Sequence, residues 1–222
     1  MNLKSNNKAP LLPVSLTTWI ILSASFLLTV FAIWTAFLSN STFDQKIFDC
    51  IDPHKTDGRT RFVQLITWGG NTFFLIVVNV LLLLFFIFKK NKWWAIRVAT
   101  ISITSVGLMS LLKNIIHRVR PTGGMVEGIT NFSFPSGHAF MSVAFYGLLI
   151  WLAATSIKNK WQKQIAVAFL ILLVLLIGFT RIYLRMHYAS DVIAGFCMST
   201  IWIILCFAVI RYFETRQIAK RK

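Results

Sequence analysis

Acidic residues are scarce in this chain: seven Asp and Glu stand against 23 Lys and Arg, and charged residues of both signs make up only 14% of its 222 positions. So little charge beside 56% hydrophobic residues excludes an ordinary soluble domain. Cysteine is nearly missing as well. Cys197 and Cys206 lie nine residues apart on one apolar segment, about 13 Å along a helix axis and beyond disulfide reach, and Cys50 stands alone. No disulfide framework and no redox compartment follow from them. Internal repeats, low-complexity tracts and linkers are also absent, so residues 1–222 read as a single domain.

What is present is Leu, Ile, Val and Phe in long unbroken blocks, the pattern of helices that are apolar all round and solvated by lipid. Six blocks are long enough to cross a bilayer, near 16–38, 70–88, 93–115, 139–156, 164–181 and 188–210. The expected fold class is an all-α integral membrane protein, six transmembrane helices in a bundle. The first block is too long for a signal core and ends in Phe37-Leu38-Ser39-Asn40 without a small-x-small cleavage site, which predicts a retained span.

The net charge of +16 would suggest nucleic acid in a soluble chain. Here the basic residues flank the spans: Lys4 and Lys8, then Lys89, Lys90, Lys92 and Arg97, then Lys158, Lys160 and Lys163, then Arg211 through Lys222. That placement excludes a nucleic-acid partner and, by the positive-inside rule, puts both termini in the cytoplasm. Segments 39–69, 116–138 and 182–187 then face outward. Trp93, Trp94 and Trp161 beside lysines fit an aromatic belt at the inner boundary. Within 43–51, Phe43, Ile47, Phe48 and Ile51 alternate with Asp44 and Asp49, which predicts a short amphipathic helix on the outer surface. Phe62, Leu65, Ile66 and Trp68 suggest a second apolar face there.

Polar residues at the edges of apolar helices are expensive, and three clusters of them fall on the expected outer face. The first is Lys113, followed after six residues by Arg120-Pro121. A compact ammonium and a planar guanidinium suit a phosphate, although either alone could be a boundary residue reaching for head groups. The second is Phe134-Pro135-Ser136-Gly137-His138 at the start of the fourth span, where Ser caps a helix and free amides make an anion site. The third is Thr180-Arg181 with His187 and Asp191. Four residues apart on the last helix, His187 and Asp191 share a face, so the carboxylate can hold one imidazole nitrogen and aim the other outward. A purely structural His–Asp pair is the alternative.

Together the clusters resemble the signature of the type 2 phosphatidic acid phosphatase superfamily: Lys-x6-Arg-Pro, Pro-Ser-Gly-His and Ser-Arg-x5-His-x3-Asp. All three occur in order with matching spacing, and the one departure is Thr180 in place of Ser, which keeps the hydroxyl. The resemblance is strong over 113–191 and carries almost nothing over 1–69. It implies that His187 attacks phosphorus with Asp191 orienting it, and that His138 protonates the departing oxygen and later activates water. It implies that Lys113, Arg120 and Arg181, with Ser136 and the Gly137 amide, hold the phosphoryl oxygens. No metal and no other cofactor is expected, because the cations supply the charge and no carboxylate cluster is available for Mg²⁺.

Small six-span members of this superfamily resemble bacterial undecaprenyl pyrophosphate and phosphatidylglycerophosphate phosphatases, so the expected partner is a phospholipid or polyprenyl phosphate within the membrane. Lipid A and phosphatidic acid phosphatases share the motifs, as does transfer of the phosphate to an acceptor lipid. Vanadium haloperoxidases share the anion site but are soluble. Arg118 and Arg185 are additional cations near the motifs. Arg185, at a position often small in similar proteins, could meet a second phosphate or simply the lipid interface. His117 and His54 receive no role, and no feature of the sequence sets an oligomeric state.

Overall fold

The computed structural model describes residues 16–37, 42–125 and 131–220, leaving aside the side chain of Leu16. The basic residues at 4, 8, 221 and 222, the end of the first expected span at 38, the start of the expected outward segment at 39–41 and part of the expected outer loop at 126–130 lie outside the described residues. Among the described residues every regular element is helical. The helices are α1 (Leu16–Phe37), α2 (Thr42–Ile51), α3 (Asp57–Thr67), α4 (Thr72–Phe88), α5 (Lys92–Ile116), α6 (Gly137–Ser156), α7 (Lys160–Tyr183) and α8 (Ala189–Ala219).

Asparagine starts three of them. The Asn71 side chain accepts from the amides of Phe73 and Phe74, Asn91 from Trp94, and Asn159 from Trp161 and Gln162. Each carbonyl satisfies donors that the first turn cannot pair within the helix, which is costly to omit near a bilayer. Five helices, α1 and α5 to α8, are long and apolar enough to cross a membrane. A sixth crossing is made if α3 and α4 count as one broken span, bent by 41°. Phe73, Phe88, Ile103 and Trp161 are each more than 70% exposed, a surface that only lipid can cover.

The expected spans agree with these helices to within about four residues, except that the span expected at 70–88 crosses only together with α3 and that the last helix is longer. The last helix runs to Ala219 rather than 210 and carries Glu214, whose carboxylate accepts from Arg97 at 2.5 Å. Glu214 thus joins Asp191 as an acid on this helix. The third helix stops at Ile116, with His117 in the left-handed region (φ 43°) and its amide on the Lys113 carbonyl. His117 ends that helix.

Two glycines bring the site-bearing helices together. A Cβ on Gly195 of α8 would lie 2.9 Å from the Ser136 carbonyl, and one on Gly178 of α7 would collide with Phe196 at 2.2 Å. Close approach of this kind replaces the hydrophobic drive that lipid cannot supply. It lets the Ser136 amide donate to the Asp191 carbonyl at 3.0 Å, joining the start of α6 to the start of α8. Below this junction the core is aliphatic and aromatic, with Phe86, Val98, Ile101, Leu148, Ile203 and Phe207 buried.

Candidate active site

The ends of α5 and α7 and the starts of α6 and α8 meet at one end of the bundle, and the three sequence clusters meet there with them. From α5, Lys113 donates to the Phe132 carbonyl at 2.7 Å and approaches Asn131 Oδ1 at 3.5 Å. Arg120 donates through Nε to the Asn131 carbonyl (2.8 Å), through Nη2 to Asn131 Oδ1 (2.5 Å) and through Nη1 to the Met186 carbonyl (2.6 Å). All these acceptors are neutral. They fix the two cations in place without cancelling their charge, and burial holds the Arg120 guanidinium below its ordinary value, with Asp191 opposing the shift.

At the start of α6, Ser136 is fully buried and its hydroxyl accepts from the Ala139 amide at 3.5 Å, so it serves the helix as its cap. The side of Gly137 where a Cβ would stand faces Lys113 Cε at 3.9 Å, which brings the first and second clusters into contact. At the second residue of the helix, His138 lies in the field of Arg181, His187, Arg120 and Lys113. It also packs where a side chain on Gly70, between α3 and α4, would meet it at 3.1 Å.

The third cluster departs from the helical pairing expected of it. His187 precedes α8, so the two residues do not share a helical face. Asp191 is instead the third residue of the helix, and its Oδ2 accepts from the Tyr188 amide at 3.0 Å, closing a capping box. His187 Nδ1 stands 3.7 Å from that oxygen, longer than a hydrogen bond. Ser133 fills the gap: its hydroxyl lies 3.3 Å from Nδ1 and donates to Asp191 Oδ2 at 2.5 Å. With its proton committed to Asp191, the Ser133 oxygen accepts from Nδ1–H, and this fixes the tautomer that leaves a lone pair on Nε2. Nε2 faces Arg120 Nη1 at 3.4 Å. Burial pushes the imidazole down to about 4, with Asp191 pulling the other way, so the ring is neutral near pH 7.

Arg181, 5% exposed at the end of α7, donates through Nη1 to Thr67 Oγ1 at 2.9 Å, while its Nε is buried without a partner. The Thr180 hydroxyl lies 3.0 Å from the same Thr67 oxygen. Sequence reasoning passed over Asn131, Ser133 and Thr67, none of which belongs to the quoted signature.

Arg118 is not a phosphate ligand in this arrangement. It is buried between Asp191 Oδ1 (2.5 Å), Asp44 Oδ2 (2.8 Å) and Ser190 Oγ (2.8 Å), above the ring of Tyr188. Burial alone would depress its guanidinium, but Asp191 and Asp44 outweigh that and raise it. Asp44 is on the inner face of α2, one turn before the buried Phe48, rather than between the apolar positions of a surface helix. Arg185 pairs with Asp52 and lies over the Phe48 ring, which occupies the cation that was a candidate for a second phosphate. That contact holds the Asp52 carboxyl below its usual range.

Among the described residues, Lys113, Arg120 and Arg181 have no carboxylate partner. No three His, Cys, Asp or Glu among those residues come together as a metal-ligand set. A neutral imidazole with an unprotonated Nε2 facing Arg120, next to three cations without carboxylate partners and a buried guanidinium nitrogen lacking an acceptor, is suited to a tetrahedral dianion.

Known proteins resemble this chain in sequence and in fold. The model of the PAP2 superfamily matches residues 92–214. Phosphatidylglycerophosphatase B of Bacillus subtilis (strain 168) is 29% identical over 111 residues, 49% of this chain and 52% of the relative, so the match spans about half of that protein's length. Among solved structures, the transmembrane PAP2 type phosphatidylglycerolphosphate phosphatase from Bacillus subtilis aligns with a TM-score of 0.75 at 22% identity, covering 88% of this chain and 96% of that one. LpxE of Aquifex aeolicus aligns with a TM-score of 0.57 at 21% identity, covering 77% and 98%.

Proposed function

This chain belongs to the PAP2 superfamily, and on that premise we propose that it is a multi-pass membrane phosphatase, one domain over residues 1–222, that hydrolyses a lipid phosphate without a metal ion. The observation that carries this reading is the uncompensated charge of Lys113, Arg120 and Arg181 around His187, together with the orphaned Nε of Arg181.

The phosphoryl group sits among those three cations, with the Gly137 amide and Ser136 at the start of α6. His187 Nε2 attacks phosphorus, and the bond from phosphorus to the lipid oxygen breaks. The bound phosphate dianion favours the charged form of His138, and the leaving oxygen takes its proton. The imidazole is now cationic, carrying phosphorus on Nε2 and a proton on Nδ1, and the Ser133–Asp191 pair stabilises that charge. Water then attacks phosphorus while His138 removes its proton, the P–N bond breaks, and inorganic phosphate leaves with His187 restored. The cations bind the added charge of each transition state more strongly than the ground state, which is the condition for acceleration.

Phosphatidylglycerophosphate is the favoured substrate, because both the curated relative and the solved structure of highest similarity described above carry that activity in their names. Undecaprenyl pyrophosphate follows. The lysines at the α4–α5 and α6–α7 turns lie at the opposite end of the bundle from His187, which supports cytoplasmic termini and a site facing outside.

Phosphate release from phosphatidylglycerophosphate, undecaprenyl pyrophosphate, phosphatidic acid and lipid A in detergent micelles tests the reading. The wild type should release inorganic phosphate in EDTA, fastest from the first, and His187→Ala should remain folded and release none. Full activity in His187→Ala would falsify the mechanism. A newly phosphorylated lipid in place of free phosphate would make the protein a phosphotransferase.

A further inference from the structure

We propose that Asp44, on α2 and outside both the three motifs and the matched region 92–214, is a positioning residue that sets the charge felt by His187. The inference rests on the reading of His187 as the nucleophile.

Asp44 is 1% exposed, and both of its oxygens are used at the start of α8. Oδ1 accepts from the Ser190 amide at 2.9 Å. Oδ2 accepts from the Ser190 hydroxyl at 2.6 Å and from Arg118 Nη2 at 2.8 Å. Arg118 in turn donates through Nη1 to Asp191 Oδ1 at 2.5 Å, and Asp191 Oδ2 holds Ser133, the hydroxyl that stands against His187 Nδ1. A continuous buried chain thus runs from α2 to the reactive ring.

Its charge balance explains why a second acid belongs there. Arg118 alone would neutralise Asp191 and leave nothing to stabilise a cationic imidazole. Asp44 takes the other terminal nitrogen of the guanidinium, so the three side chains sum to one negative charge, linked to His187 through Asp191 and Ser133. The ring becomes positive only when Nε2 bonds phosphorus. Asp44 therefore acts on the transition state rather than on binding, and its loss falls on kcat and spares KM.

Phosphate release by detergent-solubilised full-length protein, with kcat and KM separated, tests this. Asp44→Asn, close to isosteric, should lower kcat by about tenfold or more, the scale on which outer partners of liganded histidines act, with KM within about threefold. The double variant Asp44→Asn with Arg118→Met returns the sum to one negative charge and should recover at least about threefold of the lost kcat. Wild-type kcat in Asp44→Asn, a loss in KM alone, or a double variant no better than the single one overturns the proposal. Should either variant fail to fold, Ser190→Ala decides. It removes the bridging hydroxyl and no charge, so kcat should stay within about threefold of the wild type; a loss of about tenfold or more overturns the proposal, because hydrogen bonding and not charge would then act on His187. A wild type inactive on every lipid phosphate sinks the reading of His187 itself, whereas an active wild type beside an unaffected Asp44→Asn sinks only the role of Asp44.

Discussion

Arg118 and Arg120 are two residues apart and differ in everything that decides their use. Arg118 is buried between two carboxylates and a hydroxyl, so its charge is spent inside the fold. Arg120 is held by two carbonyls and an amide oxygen, acceptors that orient a guanidinium and leave its charge whole. The lesson is that a cation's partners, more than its proximity to the site, separate structural from ligand-binding arginine.

The widest separation should come from exchanging the two losses. Arg118→Met leaves Asp44 and Asp191 buried and unpaired, and should lower stability by about 3–5 kcal/mol. Arg120→Gln removes a cation with no counter-charge, and should leave the thermal midpoint near that of the wild type while phosphate release falls about a hundredfold or more. Thermal unfolding in detergent read beside phosphate release checks both, and a large stability loss in Arg120→Gln would erase the distinction.

A smaller effect sharpens the comparison through pH. Burial holds His187 at about 4 in the folded protein, against an ordinary value of 6.5. Between those values the unfolded chain binds a proton that the folded one refuses, so stability falls as pH drops through that window. His187→Asn cannot titrate there. The wild type should therefore lose more thermal stability than His187→Asn between pH 6.5 and 4.5, and parallel losses would show that His187 is not held neutral by the fold.

The smallest effect concerns the third arginine, Arg185, paired with Asp52 and held in the left-handed region at φ 51°. Arg185→Gly gives up a half-exposed ion pair but relaxes the backbone, two terms of comparable size and opposite sign. Stability within about 1 kcal/mol of the wild type and turnover within about twofold are expected. A tenfold loss of turnover would reassign Arg185 to the substrate.

Much of this was legible in the sequence. Apolar blocks located the spans because a bilayer leaves few alternatives to a helix of about 20 residues. The asparagines at 71, 91 and 159 offered helix starts that the hydrophobic blocks alone placed less sharply. Motif spacing gathered Lys113, Arg120, His138, Arg181 and His187, since each lies within a few residues of a span end. Spacing could not show that Ser133 intervenes between His187 and Asp191, because the four-residue interval reads as helix until the chain is seen to turn at Tyr188. Nor could it find Asp44, whose partner is 74 positions away and whose neighbours mark an interfacial helix.

The carboxylate opposite His187 is also the one that closes the first turn of α8, a helix of 31 residues. Anchoring that rod and orienting the ring proposed as nucleophile are thus duties of a single side chain. Silencing Asp191 frays one while misdirecting the other, so the cleaner knife for dissecting the chemistry is the imidazole.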